Sequence, residues 1–156
     1  MKIPEKIKPI LLKITKPEGH ELEFWKFLDG DQLTDKLFEL SSELILSELD
    51  EDTLPKGYKL VAYLYYWEHN CQFSGWYAFH NLKSYTSKII ECYREIGMSS
   101  EASALEKAEI AWFESDGDHD KTGVAYGSVE NEYKVDFDRF DFFIDYFKKN
   151  AHLFYD

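Results

Sequence analysis

Cysteine, proline and long apolar runs are scarce in this sequence. Only two cysteines occur among 156 residues, too few for the disulfide framework of a small secreted domain. The four prolines stand at positions 4, 9, 17 and 55, so the rest of the chain lacks this helix breaker. No apolar run near the start is long enough for a signal peptide or a membrane span. We therefore expect a soluble cytoplasmic protein that makes no contact with a membrane.

Basic residues are also few. The chain has 18 Lys and Arg against 30 Asp and Glu, which gives a net charge of −12 at pH 7. Five lysines and only two glutamates fall in residues 1–20, so the acidic residues belong mostly to the rest of the chain. Because nucleic-acid affinity rests largely on cations that neutralise phosphates, we expect no direct binding of DNA or RNA. A basic protein is the kind of partner that this charge favours.

Aromatic residues, in contrast, are abundant. Phe, Tyr and Trp make up 17% of the chain, and 44% of all residues are hydrophobic. A chain of this length with this much apolar surface can bury one complete core, so we expect a folded protein and not a disordered one. We predict an N-terminal arm over residues 1–20 and a single helical domain over residues 21–156.

The spacing of apolar residues is helical over most of the chain. Leu33, Leu37 and Leu40, for example, recur at the period of an amphipathic helix. The predicted helices cover residues 32–49, 58–70, 76–97 as one helix or two short ones, 101–113 and 137–147. Residues 3–16 lack a clear period and predict an extended arm or short strand, and the Gly- and Asp-rich residues 116–127 predict an exposed loop. The fold class is therefore an all-α bundle of five or six helices.

Carboxylates recur at helical spacing on two of these segments. Residues four apart on a helix are separated by about 6 Å along its axis, a pitch similar to that of the phosphates of one nucleic-acid strand. The longer row of such carboxylates consists of Asp31, Asp35, Glu39 and Glu43, and the shorter row of Asp138, Asp141 and Asp145. We interpret both rows as a partner-binding surface that imitates DNA. The alternative is the ordinary solvated face of an amphipathic helix.

The segment 67–81 holds the residue types of a catalytic or metal site. Cys71 with a nearby histidine has the chemistry of a thiol nucleophile and its base, and His69, Cys71 and His80 are residue types that bind zinc. Their spacing matches no closed four-ligand pattern, and closeness in sequence does not make side chains converge. We therefore predict no catalytic residue, no metal and no cofactor. A hydrolase-like pocket of Glu68, His69, Cys71 and His80 is kept as the alternative.

A third acidic group has the alternate spacing that opens a calcium-binding loop. It consists of Asp116, Asp118 and Asp120. Lys121 follows where such a loop needs glycine. We therefore favour a solvated acidic loop over a cation site.

The order of residues within 67–81 resembles a known motif. Glu68 is followed by the pair Gly75-Trp76, then by Phe79 and Asn81. This order is similar to that of a bacterial all-helical domain family of unknown function, whose motif reads E-x-x-N-G-G-F-x-Q-aromatic-aromatic-x-N. The resemblance implies that Glu68, Gly75, Trp76 and Asn81 have a structural role at a helix junction.

The same resemblance extends over residues 35–155 and bears on function. One characterised branch of the family is a DNA mimic, an acidic protein that binds a transcription factor at its DNA-binding surface. The resemblance therefore implies a non-enzymatic acidic domain whose partner is a basic or DNA-binding protein. A different reading is an immunity-type interaction protein, whose acidity serves solubility and which recognises its partner through exposed aromatics such as Trp25, Tyr126 or Tyr155.

Overall fold

The computed structural model describes residues 1–156, and it contains helices and no strand. The α-helices in chain order are α1 (Lys8–Thr15), α2 (Gly30–Leu46), α3 (Lys56–Ser74), α4 (Ala78–Asn81), α5 (Thr86–Glu95), α6 (Ser99–Glu114), α7 (His119–Gly127) and α8 (Asp136–Lys149). The predicted all-α fold class is confirmed. Seven of the helices have eight or more residues, and α4 is a single turn, so the prediction of five or six helices is close but too low.

The predicted helix boundaries lie within four residues of the observed ones. The segment 76–97 takes the form of two short helices, α4 and α5. The chain turns after α5 at Gly97, whose φ of 97° is a conformation that residues with a Cβ rarely adopt. None of the helices combines the length and the apolar character that crossing a lipid bilayer requires.

Residues 1–66 and 140–156 form one compact unit. Leu33, Leu37 and Leu40 of α2 are fully buried in its core, as their helical spacing predicts. Aromatic rings fill much of the remaining core, and Trp25 stacks on Phe154 with the ring centroids 4.5 Å apart. The high aromatic content of the sequence therefore serves packing in this unit.

Residues 67–139 form a second compact unit. It contains the end of α3, helices α4 to α7 and the beginning of α8. Helix α6 packs on both α5 and α7, and its small side chains Ala102, Ala104 and Ala108 are fully buried. Small residues at these positions let the neighbouring helices approach closely. The assignment of residues 21–156 to a single domain stays a prediction.

The expectation of an extended N-terminal arm is wrong. Residues 8–15 form α1, preceded by the 3-10 turn Glu5–Ile7. Ile7, Leu11 and Ile14 are buried at helical spacing, and Pro9 lies in the first turn, where a proline removes no helical hydrogen bond. Only three apolar residues carry this helical pattern, so the short segment has no clear period by itself.

The expectation of a loop over residues 116–127 is wrong for most of its length. Helix α7 begins at His119, and the Oδ1 atom of Asp118 caps it by accepting a hydrogen bond from the backbone N–H of Lys121 at 3.0 Å. Thr122 is fully buried. Gly123 lies close to Trp76, since a Cβ on it would be 3.6 Å from the indole nitrogen. Here glycine lies within a packed helix and does not mark a loop.

Candidate functional site

A buried ion pair joins the two ends of the second unit. Glu68 on α3 is only 2% exposed, and both of its carboxylate oxygens accept hydrogen bonds from Arg139 at the start of α8. The Nε atom of Arg139 lies 2.7 Å from Oε2 of Glu68, and Nη2 lies 2.8 Å from Oε1. The hydroxyl of Tyr93 on α5 also donates to Oε2. Paired hydrogen bonds of this geometry are the strongest form of a carboxylate–guanidinium contact.

The guanidinium of Arg139 also fixes the chain that precedes α8. Its Nη1 atom donates to the backbone carbonyls of Tyr133 at 2.8 Å and Lys134 at 3.1 Å. Burial alone would lower the pKa of Arg139, but the charge and the hydrogen bonds of Glu68, together with the charges of Tyr93 and Glu101, outweigh this effect and the pKa is raised. Arg139 therefore stays charged and holds α3, α8 and the connecting segment together.

A second buried carboxylate, Glu101, lies on α6. It is 2% exposed, and its Oε1 atom accepts hydrogen bonds from the hydroxyl of Tyr126 at 2.5 Å and from Nδ2 of Asn131 at 2.7 Å. Ser100 in turn donates to Oδ1 of Asn131 at 3.1 Å. Burial raises the pKa of Glu101 above its usual value, while the bond from Tyr126 and the charge of Arg139 oppose this rise.

Glu101 and Arg139 line one cavity of about 270 Å³. Its apolar wall includes the rings of Trp67, Trp76 and Tyr126. The rings of Trp76 and Tyr126 have centroids 5.1 Å apart and are inclined by 56°. A concave, mostly apolar site with a few convergent polar groups, some of which have a shifted pKa, is the usual form of a ligand-binding pocket.

Cys71 lines the same cavity, and it lines an adjacent one together with Glu68. Burial, and then the charge of Glu68, raise the pKa of the Cys71 thiol well above its usual value. The thiol is therefore protonated at neutral pH, whereas a nucleophilic cysteine needs a lowered pKa.

The two histidines of the alternative hydrolase pocket lie elsewhere. His80 lines a separate cavity with Tyr77 and Trp112, and the exposed His69 packs against the ring of Phe73. The structure thus brings Glu68 and Cys71 together but does not bring both histidines to them. It contains no group of three or more His, Cys, Asp or Glu side chains arranged to hold a metal ion, and this includes Asp116, Asp118 and Asp120.

The remaining motif residues lie where α3 ends. Gly75 has a φ of 55° and starts the turn that leads to α4, and Trp76 lines the cavity beside Glu101. The Nδ2 atom of Asn81 donates to Oδ1 of Asn70 and to Oγ of Ser74, each at 3.2 Å. Asn81 therefore bridges the end of α3 and the end of α4.

The longer acidic row is only partly uncompensated. Asp31 and Asp35 on α2 are exposed and form no ion pair, whereas Glu39 pairs with Lys36 at 2.9 Å and Glu43 pairs with Lys13 at 2.8 Å. Uncompensated negative charge is therefore concentrated in the first two turns of α2.

The shorter row lies on α8. Asp138, Asp141 and Asp145 are all exposed, and only Asp145 has a nearby cation, the Nζ atom of Lys149 at 2.8 Å. Lys149 follows Asp145 by one helical turn, which is the common arrangement of such surface pairs.

Two of the three aromatic residues expected to be exposed for recognition in an immunity-type protein are buried. Trp25 is 1% exposed and Tyr155 is 7% exposed, because both pack in the core of the first unit. Tyr126 is half-buried and hydrogen-bonded to Glu101. Tyr126 also lines the cavity beside Glu101.

Sequence reasoning missed Arg139, Glu101 and Tyr93. One signal for Arg139 was present, since it is one of only two arginines in the chain and stands next to the apolar stripe of α8. Its partner Glu68 is 71 residues away, and only the fold brings the two together. Comparison with protein-family models, curated proteins and solved structures finds no match to this chain in any of the three.

Proposed function

We propose that this protein is a non-enzymatic acidic domain that binds a basic protein in the cytoplasm. In its most specific form the partner is a DNA-binding protein, and the domain imitates DNA. The observation that carries the proposal is the pair Asp31 and Asp35. Both side chains are exposed, they are about one helical turn apart on α2, and neither forms an ion pair.

A second pair of exposed acids supports the same function. Asp138 and Asp141 are also about one turn apart, on α8, and also lack an ion pair. Uncompensated carboxylates at this spacing present a local negative field to a basic surface, as phosphates do. Such a field accelerates association and selects partners of opposite charge. Glu39 and Glu43 contribute less, because each already has a lysine partner.

The test is affinity capture from the lysate of the native host, with the captured proteins identified by mass. The test variant removes four charges through Asp31→Asn, Asp35→Asn, Asp138→Asn and Asp141→Asn. We expect the natural chain to capture a DNA-binding protein that duplex DNA displaces. Capture should be strong at about 0.05 M salt and lost near 1 M, where charge interactions are screened within about 3 Å. The variant should lose the partner.

A matched control keeps the same change in net charge but places it elsewhere. Four exposed glutamates outside both rows serve this purpose, through Glu21→Gln, Glu91→Gln, Glu114→Gln and Glu130→Gln. We expect this control to retain the partner. A partner that resists both salt and competing DNA, or equal loss in the two variants, would contradict the proposal.

A hydrolase remains the second candidate, favoured by one observation. Glu68 and Cys71 line one cavity, and Glu101, whose pKa is raised, lines the neighbouring cavity with Cys71. Labelling of the native protein with iodoacetamide at pH 7 tests it. Rapid labelling of Cys71 would support an activated thiol. Slow labelling, at a rate close to that of a buried thiol, would remove the support.

A further inference from the structure

The cavity of the second unit combines aromatic walls with one carboxylate that has no cation of its own. Glu101 forms no ion pair, and both of its hydrogen bonds from Tyr126 and Asn131 end on Oε1. The other oxygen, Oε2, accepts no hydrogen bond from the protein. Oε2 of Glu101 is not among the fully buried side-chain atoms that lack a partner, so it is within reach of water, and a bound group can donate a hydrogen bond to it in place of water.

Of the two basic side chains Arg139 and Lys134 that line the cavity, Arg139 is already paired and Lys134 is exposed to solvent. All three nitrogens of the Arg139 guanidinium donate to Glu68 or to backbone carbonyls, so this cation is neutralised and has little capacity left for an anion. Lys134 is exposed, and its Nζ atom lies 3.4 Å from the carbonyl oxygen of Gly127. This contact is with a neutral carbonyl, so the charge of Lys134 stays in solvent, and Glu101 is the buried charge of the cavity that has no ion-pair partner.

The aromatic rings favour the same sign of ligand charge. The faces of Trp and Tyr rings carry negative electrostatic potential and attract a cation within about 6 Å of the ring centre. Trp67, Trp76 and Tyr126 supply three such rings around a volume of about 270 Å³, which is enough for a small organic group.

We propose that this cavity binds an organic cation that carries N–H groups, a guanidinium or a primary ammonium, with Glu101 as its hydrogen-bond acceptor and Trp76 and Tyr126 as its aromatic contacts. The N–H groups satisfy Oε2 of Glu101, and the positive charge lies against the rings. This proposal is independent of the acidic rows on α2 and α8, because none of their residues lines the cavity.

The test measures binding of small probes to the full chain by calorimetry and by the NMR signals of the tryptophan indole N–H groups. Butylguanidine supplies a guanidinium, butylamine an ammonium, tetramethylammonium a cation without N–H groups, butyramide a neutral analogue and acetate an anion. We expect butylguanidine or butylamine to bind with a Kd on the order of 1 mM, as suits a ligand of so few atoms. The Trp76 signal should shift, and butyramide and acetate should not bind.

Two variants examine the assigned contacts. Glu101→Gln keeps the shape and the acceptor for Tyr126 but removes the charge, and we expect it to weaken binding at least tenfold. Glu109→Gln makes the same change on the same helix outside the cavity and should leave binding unchanged. If Glu101→Gln fails to fold, two measurements still test the proposal. Trp76→Leu should weaken binding, and the natural chain should bind butylamine but not butyramide.

Several results would overturn the proposal. Two of them concern the ligands: equal binding of butylamine and butyramide, or preferential binding of acetate. A third is undiminished affinity in a folded Glu101→Gln variant. The fourth is no binding of either N–H cation at about 20 mM, well above the expected Kd. Binding of tetramethylammonium as tight as that of butylamine would overturn the role of the Glu101 hydrogen bond.

Discussion

Arg139 and Glu68 are 71 residues apart in sequence and are joined by two hydrogen bonds of 2.7 and 2.8 Å. They stand at the two ends of the segment 67–139 that forms the second unit. The pair therefore fixes the part of α3 that belongs to this unit relative to the start of α8. It also places Arg139 in the wall of the cavity beside Glu101.

The first prediction concerns the stability of this pair. Arg139→Met leaves the buried charge of Glu68 unpaired, and we expect a loss of about 3–5 kcal/mol in the free energy of unfolding. Lys149→Met, which breaks the exposed pair with Asp145 on the same helix, should cost less than about 1 kcal/mol. Urea unfolding followed by tryptophan fluorescence measures both values.

A further variant separates lost charge pairing from lost packing. Adding Glu68→Gln to Arg139→Met removes the unpaired charge and retains an acceptor for Tyr93. We expect this double variant to recover part of the loss. No recovery would show that packing of the Arg139 side chain, and not its charge, supplies the stability.

The second prediction follows from the raised pKa of Glu101. A carboxyl whose pKa is higher in the folded than in the unfolded protein binds protons more tightly when folded, so it stabilises the fold less as pH rises. The decline starts near pH 4.5, the ordinary value, and ends above the raised pKa. It amounts to about 1.4 kcal/mol for each unit by which the pKa is raised.

Comparison with Glu101→Gln isolates this titration, because the amide does not ionise. The stability of this variant relative to the natural chain should increase between pH 4 and pH 7. Unfolding in urea at several pH values measures the difference. A constant difference over this range would show that the pKa of Glu101 is not raised.

The third prediction compares two glycines in helices. A Cβ on Gly57 would lie 2.8 Å from the carbonyl oxygen of Leu153 and 2.9 Å from the ring of Phe154, so Gly57→Ala should destabilise the protein by about 1–3 kcal/mol. A Cβ on Gly127 would meet no atom within 4 Å, and Gly127→Ala should stabilise by about 0.4–1 kcal/mol. Opposite shifts in Tm are expected, and shifts of the same sign would contradict the helix packing at Gly57.

The fourth prediction tests the N-terminal helix. Leu11 is fully buried and its neighbour Leu12 is 50% exposed. Leu11→Ala should cost about 2–5 kcal/mol, whereas Leu12→Ala should change stability by less than about 0.5 kcal/mol. Chemical denaturation of the two variants gives these values. Equal small effects would mean that residues 8–15 do not pack as α1.

Much of the helical structure follows from local sequence. Leu33, Leu37 and Leu40 repeat at the helical period over a long segment, and that pattern alone predicts α2 to within three residues at each end. Two other local features also favour helix. No proline occurs after residue 55, and the segment that forms α6 is rich in alanine. The acidity and the two carboxylate rows are likewise read directly from the sequence.

Tertiary structure decided what local sequence left open. Helices α1 and α7 are short, and α7 contains two glycines, so their stability comes from burial of residues such as Leu11 and Thr122, with α1 packed on α2 and α7 on α6, and not from propensity. The ion pair that places Arg139 in the cavity wall depends even more on tertiary structure. Glu68 stands out in the sequence, but its pairing with Arg139 depends on contacts across 71 residues. A buried charge is stable only where the fold supplies its partner, and no local pattern specifies that partner.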